Sequence, residues 1–140
     1  MMNPKKNILL LAVSLVLVAF IVFSWAAGTG EKISLMPTKK HPNASGTAVI
    51  NDGSVSLQAK GLKPNSVYTV WFVNMKPKKH ETGAGMPPYM FKTDSFGNGA
   101  YSAPLEGSPF GKWQIIMIVL HPNANPKDMK NMVGALSAKL

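Results

Sequence analysis

Apolar and polar residues alternate with period two along most of the chain after residue 44, and turn-forming residues interrupt the alternation about every ten positions. Two segments, 67–74 (VYTVWFVN) and 112–121 (KWQIIMIVLH), are nearly continuously apolar. The pattern predicts an all-β fold, a Greek-key, Ig-like β-sandwich of about seven strands. The predicted strands are 46–51, 54–60, 67–74, 89–93, 100–105, 112–121 and 133–140.

The connecting segments carry predictions of their own. The tripeptide 51–53 (Asn-Asp-Gly) is a strong hairpin signal, and residues 75–88, with three prolines and two glycines, predict a long polar loop. Asn125 followed by Pro126 is typical of a helix start and predicts one helical turn that ends at Met132. Residues 33–36 are long enough for a short additional edge strand.

The N-terminal region has a different pattern. Residues 8–27 are uncharged and almost wholly apolar, and twenty helical residues at about 1.5 Å each span a bilayer core of roughly 30 Å. Lys5 and Lys6 precede this segment, and a positive flank stays in the cytoplasm, so the following domain is expected in the periplasm or outside the cell. Trp25 occupies the place of an interfacial anchor. We predict a single-pass cell-membrane protein with a cytoplasmic stub and transmembrane helix at 1–28, a linker at 29–44 and the sandwich at 45–140.

A cleaved signal peptide is the alternative interpretation of the same segment. Ser24, Trp25 and Ala26 fit a small-x-small cleavage site, but signal peptides usually have an apolar region of only about 7–15 residues. Both interpretations predict export of the C-terminal domain.

The outer face of the sheet is the predicted partner-binding surface. A sandwich strand normally buries one face and exposes the other to water. Both continuously apolar strands are apolar on both faces, so the outer face needs a cover: the 75–88 loop, the C-terminal helical turn or another protein. We expect one apolar, partner-binding patch formed by Val67, Trp71, Val73, Ile116 and Ile118.

The segment 61–73 (GLKPNSVYTVWFV), followed by the F-x-T-D-x-x-G pattern at 91–97, resembles the C-terminal domain of anti-sigma-K factors. The order of segments over 45–140 is also similar to the copper/zinc superoxide dismutase sandwich. In that family the corresponding strand carries an HVH copper motif, which would fall on Val70 and Phe72, or on Thr69 and Trp71. None of these is histidine, and the family's bridging histidine and disulfide cysteines have no counterpart. The resemblance therefore implies the fold and not the activity.

Composition excludes several kinds of chemistry. The chain has no cysteine, so disulfides, thiolate catalysis and iron–sulfur clusters are excluded. Its net charge is +9, but all fifteen of its Lys and Arg residues are lysine, dispersed along the sequence, and nucleic-acid recognition relies on arginine for bidentate contacts. The six acids mostly fall in predicted turns, and no nucleophile motif accompanies them. We expect neither nucleic-acid binding nor enzymatic activity.

A copper site is the alternative that the composition leaves open. Three histidines and nine methionines without cysteine suit copper ions, which bind thioether and imidazole groups. Methionine also fills gaps in cores, and the tetrapeptide His-Pro-Asn-Ala, at 41–44 and again at 121–124, is ordinary turn chemistry. The candidate ligands are Met75, His80, Met86, Met90 and His121, with Met129 and Met132 near the C-terminus.

The sequence therefore predicts a non-enzymatic, membrane-anchored binding module without a required cofactor, an accessory subunit whose partners are the lipid bilayer and the other subunits of a membrane complex. The alternatives are a periplasmic copper-handling module and an anti-sigma-like sensor. The predicted cytoplasmic tail of about seven residues is too short for a sigma-binding domain, which weakens the last alternative.

Overall fold

The computed structural model describes residues 30–140, and the regular elements of this range are β-strands. The seven strands predicted by the alternating pattern are present, with ends shifted by up to three residues, and two further strands join them. In chain order the strands are β1 (Glu31–Pro37), β2 (Ser45–Ile50), β3 (Ser54–Lys60), β4 (Val67–Asn74), β5 (His80–Gly83), β6 (Met90–Lys92), β7 (Gly99–Pro104), β8 (Ile115–His121) and β9 (Val133–Lys139).

The strands form one antiparallel sheet that curls on itself. Its order is β5-β4-β8-β9-β1-β2-β3-β7, and β6 pairs with β4. Because β8 follows one edge of β4 from Val67 to Val73, β5 and β6 share the other edge. β6 also lies close to β7, so the two ends of the curled sheet approach each other.

The first strand is central and belongs to both halves of the sheet. Its residues from Glu31 to Leu35 pair with β2, whereas Met36 and Pro37 pair with β9. Leu35 is buried, and Ile33 packs against the core. The prediction of a linker at 29–44 with an edge strand at 33–36 was therefore wrong from Glu31 onward. The Gly, Pro and Lys residues that suggested a linker flank a strand that buries alternate side chains.

The core lies inside the curl. Tyr68, Val70 and Phe72 of β4 face it together with Ile116 and Ile118 of β8. Leu136 of β9 is buried beside them, and the other half of the sheet contributes further buried apolar residues: Leu35, Ala48, Ile50, Val55, Leu57 and Tyr101.

The predicted helical turn near Met132 is absent, since residues 122–132 form turns and bends. The Asn125 side chain accepts a hydrogen bond from the Lys127 N–H at 3.0 Å, as a cap would. Asp128 then accepts bonds from the Lys130 N–H at 2.9 Å and from the side chains of Asn123 and Asn131. These local side-chain bonds compete with helix propagation.

The connecting segments gather at two ends of the sheet. The near end holds Glu31, the hairpin turn 51–53 and the segments 75–79 and 105–114, as the pairs Glu31↔Ile50 and Val73↔Ile115 require. The far end holds the segments 38–44, 61–66, 93–98 and 122–132.

No helix within residues 30–140 is long and apolar enough to cross a membrane. The predicted anchor at 8–27, with Lys5, Lys6 and Trp25, lies outside the described residues.

Candidate ligand-binding cleft

A cleft of about 640 Å³ lies between the segments 82–89 and 104–113, beside the near end. Its lining combines the polar residues Thr82, Glu106, Ser108 and Lys112 with apolar and aromatic side chains, among them Phe72, Met86, Tyr89, Leu105, Pro109 and Trp113. A larger groove, of about 850 Å³, runs along Ser45, Thr47, Gln58 and Ala100, but no aromatic side chain lines it. Ligand sites usually combine hydrophobic and aromatic side chains with a few polar groups, so the aromatic cleft is the candidate functional site.

Trp113 forms one wall of the cleft and stacks on two other rings. Its ring centroid lies 5.4 Å from that of His80, with the planes 11° apart, and 6.5 Å from that of Phe72, with the planes 22° apart. The backbone N–H of Trp113 donates to the Pro109 carbonyl at 2.9 Å, which closes the turn that precedes it. The two stacked rings and this turn together fix the position of the indole.

The opposite wall is a loop that leaves the edge of β4 and returns to it. The Ala84 N–H donates to the Val70 carbonyl at 2.9 Å, and the Val70 N–H donates to the Tyr89 carbonyl at 3.0 Å. Ala84 is buried, and its own carbonyl accepts a bond of 2.6 Å from the Tyr101 hydroxyl. Both ends of the loop are thus hydrogen-bonded to β4, while Met86 near its tip is 62% exposed.

Tyr89 is held over Gly83 in a strained conformation. Its φ is 62°, a left-handed value that is uncommon outside glycine. A Cβ on Gly83 would lie 2.2 Å from the Tyr89 ring, so only glycine permits this close approach. The ring also packs at a tilt on Trp71, with centroids 5.6 Å apart. Such outliers persist only where the surroundings hold them, and they cluster at functional sites.

The polar groups of the cleft are few. Glu106 and Lys112 line it as exposed charges of opposite sign, and Ser108 accepts a bond of 3.2 Å from the Phe110 N–H. No histidine lies among the lining residues to pair with a hydroxyl. This arrangement suits an apolar group that carries a polar or charged end.

The predicted partner-binding residues do not form one patch. Val70 pairs with Ile118 and Phe72 with Ile116, and residues directly opposite each other share a face, so Ile116 and Ile118 lie in the core. The outer-face neighbours of Trp71 and Val73 on β8 are Met117 and Ile115. The prediction assigned the wrong alternate residues of β8 to the outer face.

The remaining three residues of that patch are on the outer face but largely covered. Val67 and Val73 are buried, and Trp71 is half-buried. The Trp71 indole N–H donates to the Thr69 hydroxyl at 2.7 Å, and that hydroxyl lies 2.7 Å from Nε2 of His121. Thr69 and His121 are themselves buried.

His121 is therefore part of a buried polar network on the outer face. Burial of the imidazole lowers its pKa. The backbone of Asp128 and of Asn125, and then the negative charge of Asp128, raise the pKa and so partly oppose this effect. Within residues 30–140, the Nδ1 of His121 is buried and no group meets hydrogen-bond geometry to it.

The structure separates the predicted copper ligands. His80 pairs with Asn74, and His121 pairs with Val67 at the other end of β4, seven residues and roughly 23 Å away at about 3.3 Å per residue. One metal ion cannot bind both histidines. Within residues 30–140, no three His, Asp or Glu side chains come together as a metal-binding group.

The methionines of the predicted set are also dispersed. Met75 and Met86 are exposed at the near end and on the cleft loop, whereas Met90 is half-buried on β6 opposite Thr69. Met129 and Met132 lie in the far-end segment 122–132.

Sequence reasoning did not identify the cleft, because its walls come from segments that are distant along the chain. The one signal was composition: both 82–89 and 104–113 combine glycine, proline and aromatic residues.

In comparisons with protein-family models, with curated proteins and with solved structures, no match to this chain was found.

Proposed function

We propose that the chain is a non-enzymatic, membrane-anchored binding module located outside the cytoplasm, an accessory subunit of a larger membrane assembly. We further propose that the aromatic cleft between 82–89 and 104–113 receives the partner. The observation that supports this function is the cleft itself, which is lined by aromatic and apolar side chains together with one charge of each sign.

The rigidity of both walls favours binding. Trp113 stacks on His80 and Phe72, and the loop that carries Met86 is hydrogen-bonded to β4 at both ends. A site whose side chains are already ordered loses less conformational entropy on association, so more of the interaction energy becomes affinity.

The chemistry of the lining indicates the kind of group that fits. About 640 Å³ accommodates one or two large apolar side chains, and aromatic pockets of this kind are common anchor points in protein interfaces. Glu106 and Lys112 are placed to contact polar groups of the partner's backbone or flanking side chains. The proposed ligand is thus a short apolar segment of another protein.

The position of the cleft is consistent with a partner in the same membrane. It lies beside the near end, where the described chain begins its first strand at Glu31. Confinement of both proteins to one membrane would raise their effective concentration, so a modest cleft would suffice.

Site-specific photo-crosslinking in native membranes tests this function. The chain has no cysteine, so Met86→Cys introduces a single attachment point for a benzophenone maleimide at a 62% exposed position on the cleft loop. We expect one discrete crosslinked protein of higher mass, and loss of this product when Leu105→Glu places a charge in the cleft.

Phe96→Cys is the matched control, since Phe96 is even more exposed but lies at the far end. Equal crosslinking from positions 86 and 96, or a product that survives Leu105→Glu, would contradict a partner in the cleft. Metal analysis of the same purified sample addresses the copper alternative, which requires stoichiometric copper.

A further inference from the structure

Folding concentrates lysines that are dispersed along the sequence. Of the thirteen lysines within residues 30–140, seven lie at the far end, five in the segments 38–44, 61–66 and 122–132 and two at the adjoining ends of β3 and β6, and all seven are exposed. This group, the basic end, consists of Lys39, Lys40, Lys60, Lys63, Lys92, Lys127 and Lys130.

The two ends differ in their balance of charge. In the described part of the chain, the acids at the far end are Asp94 and Asp128. The near end has six lysines, but four acids accompany them: Glu31, Asp52, Glu81 and Glu106. The excess of positive charge is therefore concentrated at the far end.

Both far-end carboxylates accept hydrogen bonds from groups of their own loops. Asp94 accepts bonds from the N–H groups of Phe96 and Asn98, each at 2.9 Å. Asp128 accepts a bond of 2.9 Å from the Lys130 N–H and a second from the Asn131 side chain. These bonds direct the carboxylates toward the backbone, and the lysine side chains remain directed toward solvent.

Hydrogen bonds join the loops of the basic end into one surface. The Thr93 hydroxyl donates to the Lys63 carbonyl at 2.6 Å, and the Leu62 N–H donates to the Gly97 carbonyl at 3.1 Å. The Lys63 N–H donates to the Tyr68 hydroxyl at 2.9 Å, and this hydroxyl lies 3.0 Å from Nε2 of His41. The Thr38 hydroxyl donates to the Gly134 carbonyl at 2.6 Å, which ties the 38–44 segment to the start of β9, immediately after 122–132. The lysines are thus carried by a connected platform.

Phe96 adds an apolar group to the same surface. It lies at the tip of the 93–98 turn and is 83% exposed. The fold does not need this ring, because it contributes little to the core. An exposed aromatic side chain among lysines can pack on sugar rings or aliphatic chains while the lysines bind anionic groups.

We propose that the basic end is a docking surface for an anionic polymer that carries phosphate or carboxylate groups at regular spacing. Lysine supplies point charges without the bidentate geometry of arginine, which suits a repeating, flexible polyanion better than a single shaped ligand. The near and far ends are opposite, so polymer and cleft ligand bind at once. The location outside the cytoplasm rests on the proposed function, whereas the binding chemistry does not.

The test compares two variants with the same net charge. The full chain is reconstituted in nanodiscs of zwitterionic lipid, and its affinity for fluorescent polyphosphate and for poly-L-glutamate is measured at 50 and 200 mM salt, about a fourfold range over which polyanion binding weakens strongly. The far-end variant is K39Q/K40Q/K63Q/K127Q/K130Q, and the near-end control is K32Q/K76Q/K78Q/K79Q/K139Q. All ten side chains are exposed, so neither set disturbs the core.

We expect the far-end variant to lose about tenfold or more in affinity, with a shallower salt dependence, and the near-end control to change by about twofold or less. The stronger of the two probes identifies the anionic group. Equal losses in both variants would show a response to net charge alone and overturn the proposal, and so would failure of both polymers to bind.

Failure of this proposal is distinguishable from failure of the proposed function. Crosslinking from Met86→Cys reports on the cleft and is expected to be unchanged in the far-end variant. Loss of that crosslink in the far-end variant, without polymer binding by the unmodified chain, would instead show that the basic end contacts an acidic protein.

Discussion

Two histidines contact strand β4 from opposite faces. His41 contacts the hydroxyl of Tyr68, which faces the core, and His121 contacts the hydroxyl of the next residue, Thr69, which faces outward. The repeated His-Pro-Asn-Ala sequence forms the same turn at both places, with the alanine N–H donating to the histidine carbonyl. Nδ1 of each ring is buried, and it has no hydrogen-bond partner in the part of the chain that the structure describes.

These histidines predict a loss of stability in acid. Burial lowers the pKa of His41 and of His121 below the ordinary value of 6.5, so between pH 6.5 and the lowered values the unfolded state binds more protons. The free energy of unfolding should therefore be constant above about pH 7 and should fall as the pH drops below 6.5. Urea unfolding between pH 5 and 8 measures this.

A His41→Gln/His121→Gln variant is the control for the acid effect. It should be less stable at pH 8 and should lose most of the pH dependence between 5 and 7. An unchanged slope would place the titrating groups elsewhere.

Gly97 is a position where one methyl group should be costly. Its φ is +80°, and a Cβ there would lie 2.2 Å from the Leu62 carbonyl oxygen, which is backbone and cannot move freely. Gly97→Ala should cost about 1–3 kcal/mol of unfolding free energy. Gly53→Ala is the matched control, because its Cβ would meet one side-chain atom at 4.0 Å. Thermal unfolding of both variants provides the comparison, and equal melting temperatures would contradict the strain argument.

At the scale of elements, one side-chain hydroxyl supplements the two backbone hydrogen bonds that hold the loop at 84–89 to β4. Tyr101→Phe removes the 2.6 Å bond to the Ala84 carbonyl and leaves the ring in the core. We expect a loss of about 1 kcal/mol in stability. Amide exchange should accelerate at Ala84 and Tyr89, and should be unchanged in β2 and β3. Uniform acceleration throughout the sheet would instead indicate a global effect.

The elements also show what the sequence could and could not predict. Strands β3 and β4 begin and end where the sequence pattern predicts. Successive side chains of a strand point to opposite faces, so the pattern of apolar residues reports strand geometry directly. β5 was missed, since four polar residues become a strand only by pairing with the exposed edge of β4. The predicted outer-face patch was wrong in its β8 residues. The pairing register between β4 and β8 decides which side chains of β8 share a face with Trp71, and the local sequence of either strand does not determine that register.

At the scale of the whole molecule, the proposed anchor can be tested apart from any partner. Residues 8–27 are long and apolar enough to span a bilayer, so alkaline carbonate should leave the full chain in the membrane fraction. Protease added from the non-cytoplasmic side should digest residues 31–140. Recovery of a soluble product that begins near Ala27 would show a cleaved signal peptide instead.

Superoxide dismutation is a second property that we expect to be absent from the whole protein. In the predicted resemblance to the dismutase sandwich, the copper motif falls on Val70 and Phe72, both of which are core residues here, or on Thr69 and Trp71, and none of these is histidine. Purified protein loaded with copper and zinc should therefore disproportionate superoxide no faster than the free ions. A rate clearly above theirs would contradict this expectation.

The position of β1 has a mechanical consequence. Any tension transmitted from the N-terminal side enters the sheet at Glu31 and runs along a strand that is flanked first by β2 and then by β9. Antiparallel hydrogen bonds lie perpendicular to the strands, so such a pull loads several of them together in shear. An edge strand pulled from its side would instead open one bond at a time, as a zipper does. The placement of this strand suits a domain that is tethered at one end and pulled at the other.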